Sequence, residues 1–299
     1  MPIDVLLLYN PKAGRGIGQH VCEEFEAACL DAGHEVRTIR AEAGARPREA
    51  MTEQTVVAVI GGDGTLHHAL TDLATSGAKV YHVPLGTENL FSREFGMDRQ
   101  PDRFLEAIEA HHVVQVDLAE ANGELFVLMC SVGPDASVAH RLAGRRTGAI
   151  RHLSYIRPSI EELLRPALRP LTVTVDGRRL FERRKGMVLV GNSRQYAVRI
   201  DPARWAKMND RKLDVVFLPA STSLELVLRA GLSRIRQQSR LPGVIYQTGQ
   251  TIRIEVEGEP MAYQIDGEAV ADPQSKKPAT TPIDISLRLE RLAVLTPAR

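Results

Sequence analysis

The sequence predicts two lobes of different class, an N-terminal α/β lobe with a doubly wound parallel sheet and a C-terminal antiparallel β-rich lobe. Three observations support this. The 299 residues are enough for two domains. Short apolar strands alternate with helices over the first 110 residues, and short strands dominate the remainder. We place the boundary at residue 118, with the β-rich domain over residues 119–283.

The first lobe alternates strands with helices. The segment Val56–Ile60 is five consecutive apolar residues, which is typical of a strand buried on both faces of a parallel sheet. The predicted strands are Val5–Leu8, Glu35–Ile39, Val56–Ile60 and Val80–Val83, and the predicted helices are Ile17–Ala32, Pro47–Met51, Thr65–Ser76, Leu90–Phe95 and Pro101–Ala110.

In the second lobe, the dipeptide Asp176-Gly177 between two strands indicates a tight hairpin. Two helices are expected, a basic one at His140–Leu164 and an amphipathic one at Ser223–Gln238. The single tryptophan, Trp205, is expected to pack within this lobe. The predicted strands are Val113–Leu118, Leu125–Cys130, Leu171–Val175, Arg178–Lys185, Met187–Val190, Leu213–Leu218, Thr251–Val256, Ala262–Ile265 and Ile283–Leu289.

The formal net charge of +1 conceals two oppositely charged regions. Residues 1–120 carry 10 basic and 19 acidic side chains, whereas residues 141–212 carry 18 basic and 6 acidic ones. Aromatic residues make up 5% of the chain and are not interleaved with basic ones, which argues against single-stranded nucleic acid as a partner. We expect no nucleic-acid partner.

Cysteine usage and hydropathy predict a cytoplasmic protein. The three cysteines, Cys22, Cys29 and Cys130, cannot all pair and show no metal-ligand spacing, so free thiols in a reducing compartment are expected. No run approaches the ~20 apolar residues of a membrane span, and the N-terminus lacks the pattern of a signal peptide. The protein is expected to be at most peripheral to a membrane.

Two glycine-rich segments follow predicted strands. In the segment from Asn10 to Gly16, backbone N–H groups could approach an anion at the start of the next helix, although a simple tight turn explains it equally well. In Gly61-Gly62-Asp63-Gly64-Thr65, a lone carboxylate lies at the carboxyl end of the most apolar strand, where open α/β sheets bind ligands. The second segment is the more specific signal.

Two further segments are ambiguous by themselves. Pro84-Leu85-Gly86-Thr87-Glu88-Asn89 opens a helix, and Thr87 or Asn89 could serve only as its N-cap. Asp266-Gly267-Glu268, late in the β-rich lobe, could be only a hairpin turn.

The four segments, in this order, resemble the diacylglycerol kinase catalytic-domain family, which includes bacterial lipid kinases and sphingosine kinases and is distantly related to NAD kinases. The resemblance covers essentially the whole chain. It implies an α/β nucleotide-binding lobe, a C-terminal β-sandwich lobe and an active site in the cleft between them. It also implies that about residues 284–299 return to the first lobe, that ATP and Mg²⁺ are used, and that phosphate is transferred to a lipid hydroxyl.

The resemblance also implies residue roles. Asp266, with Glu268 beside it, matches the carboxylate proposed as general base toward the acceptor, and Asp63 matches the segment that holds the phosphates and Mg²⁺. Such a set suits phosphoryl transfer, which depends on positioning and charge neutralisation. The residues matched to nucleotide binding are Asn10, Gly14, Gly16, Gly61, Gly62, Asp63, Gly64, Thr65, Gly86, Thr87 and Asn89.

Three departures from the family pattern keep alternatives open. Leu90 stands where the family usually has Asp, His68 stands where it usually has Glu, and Arg211 replaces a Gly of a stretch that supports a structural Mg²⁺ in some members. No second metal is therefore expected. The alternatives are a nucleotide-binding pseudo-kinase or regulator and, less favoured, a soluble-acceptor kinase similar to NAD kinase.

The resemblance to lipid kinases suggests a role for the basic region. We hypothesise that residues 141–212 make peripheral contact with anionic membrane, since basic side chains near an anionic surface contribute ~1 kcal/mol each. The lipid acceptor itself has no decodable signature in the sequence, and a homodimer stays open.

Overall fold

The computed structural model describes residues 2–42, 47–143, 168–234, 241–272, 275 and 277–297. The chain divides into two compact units. Unit 1 comprises Met1–Leu118 and Leu289–Arg299, and unit 2 comprises Ala119–Arg288. Among the helices of the described ranges, none is long and apolar enough to cross a bilayer.

Unit 1 is built on a parallel sheet. Its strands are β1 (Asp4–Tyr9), β2 (Glu35–Arg40), β3 (Val56–Gly61), β4 (Lys79–Pro84) and the end of β15 (Ile283–Leu295). Their order in the sheet is β15, β4, β3, β1, β2. Its helices are the short turn α1 (Ala13–Gly16), α2 (Gly18–Asp31), α3 (Asp63–Ser76), α4 (Leu90–Phe95) and α5 (Pro101–Ala110). The 3₁₀ turn Pro47–Ala50 stands where a helix was predicted.

The apolar runs explain this arrangement. All six residues of β3 are buried, as its uninterrupted apolar sequence predicts, because helices cover both faces of a parallel sheet. Phe104 of α5 packs 5.6 Å from Phe25 of α2 and 5.1 Å from Tyr81 of β4, measured between ring centroids. These aromatic contacts join two helices to the sheet on one face. Ala293 of β15 lies beside Lys79 of β4, and the part of the last strand from Leu289 onward belongs to unit 1.

Unit 2 is antiparallel and β-rich. Its strands enclose one apolar core in which Val173, Val190, Phe217 and Ile254 are nearly or fully buried. Its described elements are the end of β5 (Val113–Ala121), β6 (Glu124–Phe126), β7 (Met129–Val132), α6 (Pro134–Ala143), β8 (Pro170–Val175), β9 (Arg178–Gly191), β10 (Leu213–Pro219), α7 (Ser223–Arg234), β11 (Ile245–Gly249), β12 (Thr251–Val256), β13 (Tyr263–Ile265), β14 (Glu268–Ala269) and the start of β15. The long strand β9 pairs with β7, β8 and β10.

Two strand predictions are wrong in detail, and the strand β11 was missed. The two strands expected at 178–185 and 187–190 form the single strand β9. The strand expected at Leu125–Cys130 breaks after Phe126, because Val127 and Leu128 direct their N–H groups to a side chain rather than to a neighbouring strand. The strand β11 was not predicted, since its sequence lacks strong alternation. Most of the helix expected at His140–Leu164 lies outside the described residues.

The cysteine thiols are expected to be unreactive in the folded protein. Burial raises the pKa of Cys22 from 9.0 to about 12 and that of Cys29 to about 11, and it raises the pKa of Cys130 further. At pH 8 the thiolate fractions of Cys22 and Cys29 therefore fall by about two to three orders of magnitude. A thiol-reactive disulfide reagent should modify no cysteine in native buffer and all three in denaturant. Rapid modification of any one in native buffer would contradict the buried placement.

Candidate functional site

Three loops of unit 1 meet at the carboxyl ends of β1, β3 and β4. The Asn10 amide Nδ2 donates to Thr65 Oγ1 at 3.4 Å and thereby joins the first loop to the second. The second and third loops touch through their backbones, because a Cβ built on Gly62 would lie only 3.1 Å from Gly86 Cα. The structure therefore brings together three of the four segments that the sequence singled out.

The first loop is shaped by its glycines. Asn10 Oδ1 accepts the Lys12 N–H at 3.0 Å, which closes a turn directly after β1. Gly14 and Arg15 then adopt left-handed φ values of 59° and 66°, and Gly16 has φ 93°. Backbone turns of this kind gather N–H groups on one side and form concave sites for anions. The loop geometry thus suits a phosphate, which the sequence left undecided.

Gly18 is required where α2 begins. A Cβ on this residue would lie 2.0 Å from the carbonyl oxygen of Asn10. We expect Gly18→Ala to destabilise the protein by about 3 kcal/mol, because the first loop must move to relieve the clash. Gly231→Ala is the matched control, since a Cβ there meets nothing within 4 Å, and helix propensity predicts a gain of up to about 1 kcal/mol. Equal stabilities of the two variants in urea unfolding would refute the close approach.

Asp63 joins the second loop to the third. Its Oδ2 accepts the Leu90 N–H at 2.9 Å and its Oδ1 accepts the Phe91 N–H at 3.1 Å, so the carboxylate caps the first turn of α4. Asn89, at the N-cap position of α4, makes no capping bond with its side chain. The Asn89 side chain instead bonds the backbone of Gly86, with Oδ1 2.7 Å from N and Nδ2 2.9 Å from O. Glu88 pairs with Arg93 at 3.4 Å.

His82 supports the backbone at the start of the second loop, and no sequence pattern indicated this role. The side chain is fully buried in β4, and its Nε2 lies 3.1 Å from the carbonyl oxygen of Gly61. Because that oxygen can only accept, Nε2 carries the proton and donates. Burial lowers the pKa of His82, although the negative charge of Asp63 opposes this shift. A neutral imidazole therefore holds the strand end that carries the Gly-Gly-Asp-Gly-Thr segment.

The fourth segment lies in unit 2, where Asp266 and Gly267 form the turn of the hairpin that pairs Ile265 with Glu268. The two turn residues have φ values of 52° and 84°. The Asp266 carboxylate is 5% exposed. The carboxylate accepts three consecutive backbone N–H groups, those of Val127, Leu128 and Met129, at 3.1, 2.8 and 2.9 Å. The segment is thus a hairpin turn, and its carboxylate also anchors the backbone of residues 127–129.

A polar cluster lies beside this hairpin, and no sequence pattern indicated it. Asp135 Oδ2 accepts hydrogen bonds from the hydroxyls of Ser131 and Tyr196, the latter at 2.7 Å. Gln264 Nε2 donates to Ser131 Oγ at 2.7 Å, and its Oε1 accepts the Gly267 N–H at 2.7 Å. The other oxygen of Asp135, Oδ1, is buried without a hydrogen-bond partner. Such an oxygen costs free energy unless a ligand satisfies it.

Comparison with known families identifies the domains that contain these loops. Residues 4–121 match the family model of the diacylglycerol kinase catalytic domain. Residues 129–287 match the model of the YegS C-terminal NAD kinase beta sandwich-like domain. The chain thus combines a diacylglycerol kinase catalytic domain with a YegS C-terminal NAD kinase beta sandwich-like domain. The α/β lobe and the β-sandwich lobe are those that were predicted.

Individual relatives agree with these domain assignments. The chain is 25% identical over 274 residues to a diacylglycerol kinase of Bacillus subtilis, with 88% of each chain covered. It is 22% identical to a diacylglycerol kinase of Staphylococcus carnosus, covering 88% of this chain and 87% of the relative.

Solved structures share the fold. A diacylglycerol kinase of Bacillus anthracis superposes with a TM-score of 0.70 at 21% identity, covering 98% of this chain and 96% of the other. An NAD kinase of Archaeoglobus fulgidus, solved in complex with ATP, superposes with a TM-score of 0.54 at 15% identity, covering 99% and 94%.

Leu90 and His68, two residues that depart from the family pattern, differ in how exposed their side chains are. Leu90 is 6% exposed and contributes its backbone N–H to Asp63, a contact that any residue other than proline could make. His68 is exposed on α3, whereas its neighbour His67 is buried. Across the described ranges, no group of three or more His, Cys, Asp or Glu side chains is placed to hold a metal.

Proposed function

We propose that this protein, which contains a diacylglycerol kinase catalytic domain, is an ATP-dependent lipid kinase. It would transfer the γ-phosphate of ATP to a hydroxyl group of a lipid such as diacylglycerol or a sphingoid base. The observation that carries the proposal is the meeting of the three loops of unit 1 around Asp63. The names of the curated relatives supply the acceptor class, since they are called diacylglycerol kinases.

The nucleotide end of the reaction is assigned to the three loops. Glycines at 14, 16, 62 and 86 let phosphate oxygens approach backbone N–H groups that a Cβ would shield. The Asn10–Thr65 bond joins the first loop to the second, Asp63 joins the second to the third, and Asn89 holds the backbone of the third loop at Gly86. Preorganised donors of this kind stabilise the charge that spreads over the transferred phosphoryl group.

Asp63 fits a magnesium–nucleotide complex. Each of its carboxylate oxygens accepts one N–H bond and keeps one lone-pair position for a ligand. Mg²⁺ usually binds one or two carboxylates together with substrate phosphates and water, which agrees with a site that offers a single carboxylate. When bound, the metal supplies neutralisation of the phosphate charge. Asp63 then links that charge to the first turn of α4.

The acceptor end is assigned to Asp266 and its neighbours. In the proposed step the acceptor oxygen bonds to the γ-phosphorus, its proton moves to an Asp266 carboxylate oxygen, and the bond to the ADP leaving group breaks. Three N–H bonds hold this carboxylate in one orientation and leave at most one acceptor position on it. A loose transition state depends mainly on positioning, so one acceptor position suffices for this role.

Asp135 and Glu268 are assigned to acceptor recognition. The buried Oδ1 of Asp135 can accept a hydrogen bond from a hydroxyl or ammonium group of the acceptor. The side chains of Ser131, Tyr196 and Gln264 hold Asp135 in place. Glu268 is half-buried at the base of the hairpin, two residues after Asp266.

The test is mass spectrometry of a total lipid extract incubated with protein, ATP and Mg²⁺. We expect at least one lipid species to gain one phosphate, and diacylglycerol and sphingoid bases are added separately as defined acceptors. NAD serves as the soluble acceptor. Tight ATP binding with no phosphorylated product would favour the pseudo-kinase, for which the departures at Leu90 and His68 argue. A product from NAD alone would favour the soluble-acceptor kinase.

A further inference from the structure

Trp205 lies on the outside of unit 2 rather than in its core. The side chain is 47% exposed, which contradicts the expectation that it packs within the lobe. The Arg204 guanidinium lies 4.0 Å from the centre of the indole ring, and the edge of the Tyr246 ring lies against it with centroids 4.6 Å apart. The largest amphipathic side chain of the protein is thus presented to solvent between a cation and an aromatic ring.

The position of this indole is fixed by the fold. Tyr246 belongs to β11, pairs with Val216 of β10, and donates its hydroxyl hydrogen to the buried carboxylate of Asp214. Around Trp205 the chain alternates between buried and outward-facing residues. Ala203, Ala206 and Met208 are at most 5% exposed. The segment is therefore anchored from inside while it presents Trp205 outward.

The segment that carries the indole is rich in basic residues. From Arg194 to Lys212 the chain has six basic residues and two acidic ones. The basic residues are Arg194, Arg199, Arg204, Lys207, Arg211 and Lys212, and the acidic ones are Asp201 and Asp210. Both lysines are exposed. The positive charge of this segment favours an anionic partner. A partner with a flat surface can contact the aromatic ring and several flanking basic side chains at the same time.

We propose that the Trp205 surface, formed by Arg204, Trp205, Lys207 and Lys212, docks the protein on an anionic lipid bilayer. Tryptophan prefers the headgroup level of a bilayer, where its ring is apolar and its N–H meets water. Basic side chains gain free energy near anionic headgroups. This inference rests on the proposed function, since an acceptor lipid lies in a membrane. It narrows the basic region of residues 141–212 to one described surface.

The single tryptophan allows a direct test. Protein without nucleotide is mixed with vesicles of phosphatidylcholine alone or with vesicles that contain about one third phosphatidylglycerol. The second composition gives a strongly anionic surface. We expect the Trp205 emission to shift to shorter wavelength only with anionic vesicles, and added salt to reverse the shift. In co-sedimentation, Lys207→Gln and Lys212→Gln should each weaken binding about fivefold, and Trp205→Ala at least tenfold. Lys277→Gln, which removes an exposed lysine elsewhere in unit 2, should leave binding unchanged.

Each contrary result has a definite meaning. Equal binding to neutral and anionic vesicles, or sedimentation without a change in Trp205 emission, would overturn the proposal. A Trp205→Ala protein that binds vesicles as tightly as the wild type would overturn it as well. The surface would then serve another partner, such as a protein. The kinase proposal is tested separately with a short-chain diacylglycerol dissolved in water. Trp205→Ala should phosphorylate that acceptor at the wild-type rate and lose activity only toward acceptor in vesicles.

Discussion

Replacing Asp63 by asparagine is expected to slow phosphate transfer from ATP by a factor of about a thousand or more while the protein stays folded. The amide oxygen can keep one of the two N–H bonds that the carboxylate accepts from Leu90 and Phe91. The negative charge that would face a bound metal is lost, however, and charge stabilisation is the main contribution to catalysis of phosphoryl transfer. Initial rates at saturating ATP and acceptor, together with thermal unfolding, measure both effects.

Asp72→Asn is the matched control for this experiment. Asp72 lies on the same helix, α3, and its replacement makes the same change of charge away from the three loops. We expect its rate to stay within twofold of wild type. If Asp63→Asn remained as fast as Asp72→Asn, Asp63 would be only a cap for α4, and the assignment of the loops to nucleotide and metal would fail.

Asp266→Asn is expected to lower the transfer rate by a factor of about a hundred to ten thousand, the usual contribution of a positioned base. Asparagine tolerates the left-handed backbone conformation at this position. With its oxygen at the place of Oδ1, it keeps the bonds from Leu128 and Met129. Only the Val127 N–H loses its acceptor, so the free energy of unfolding should fall by about 1–3 kcal/mol.

A second variant separates the chemical role of Asp266 from its structural one. Asp266→Ala removes the acceptor of all three N–H groups and should lower the free energy of unfolding by more than Asp266→Asn does, which denaturant titration will show. ATP binding, assigned to unit 1, should survive both substitutions. If folded Asp266→Asn transferred phosphate at the wild-type rate, the carboxylate would be an anchor for residues 127–129 and nothing more.

The alternation of apolar runs with helices predicted the parallel sheet of unit 1, because strands such as β3 must exclude water on both faces and their composition shows it. The glycine-rich segments also identified three loops that meet, since each follows a strand of one parallel sheet and such strands end at the same edge. Local composition and chain order were sufficient for these features.

The detailed geometry depended on distant residues. The capping of α4 was expected from Thr87 or Asn89, but Asp63 performs it from another loop. The break after Phe126 follows from Asp266, nearly 140 positions further along the chain. A hydrogen-bonding side chain can serve any backbone group that the fold brings within about 3 Å, and sequence separation does not restrict that choice.

The sequence by itself determined the alternation of strands and helices in unit 1, the β-rich character of unit 2, the family resemblance and the four segments of the candidate site. Repeated apolar patterns and runs of glycine reflect constraints that act within a few neighbouring residues. The tertiary structure alone decided the environments of His82, Asp135 and Trp205. Each of these is a single side chain whose type fits many surroundings. Whether it is buried, bonded or exposed follows from packing between elements that are remote in the chain.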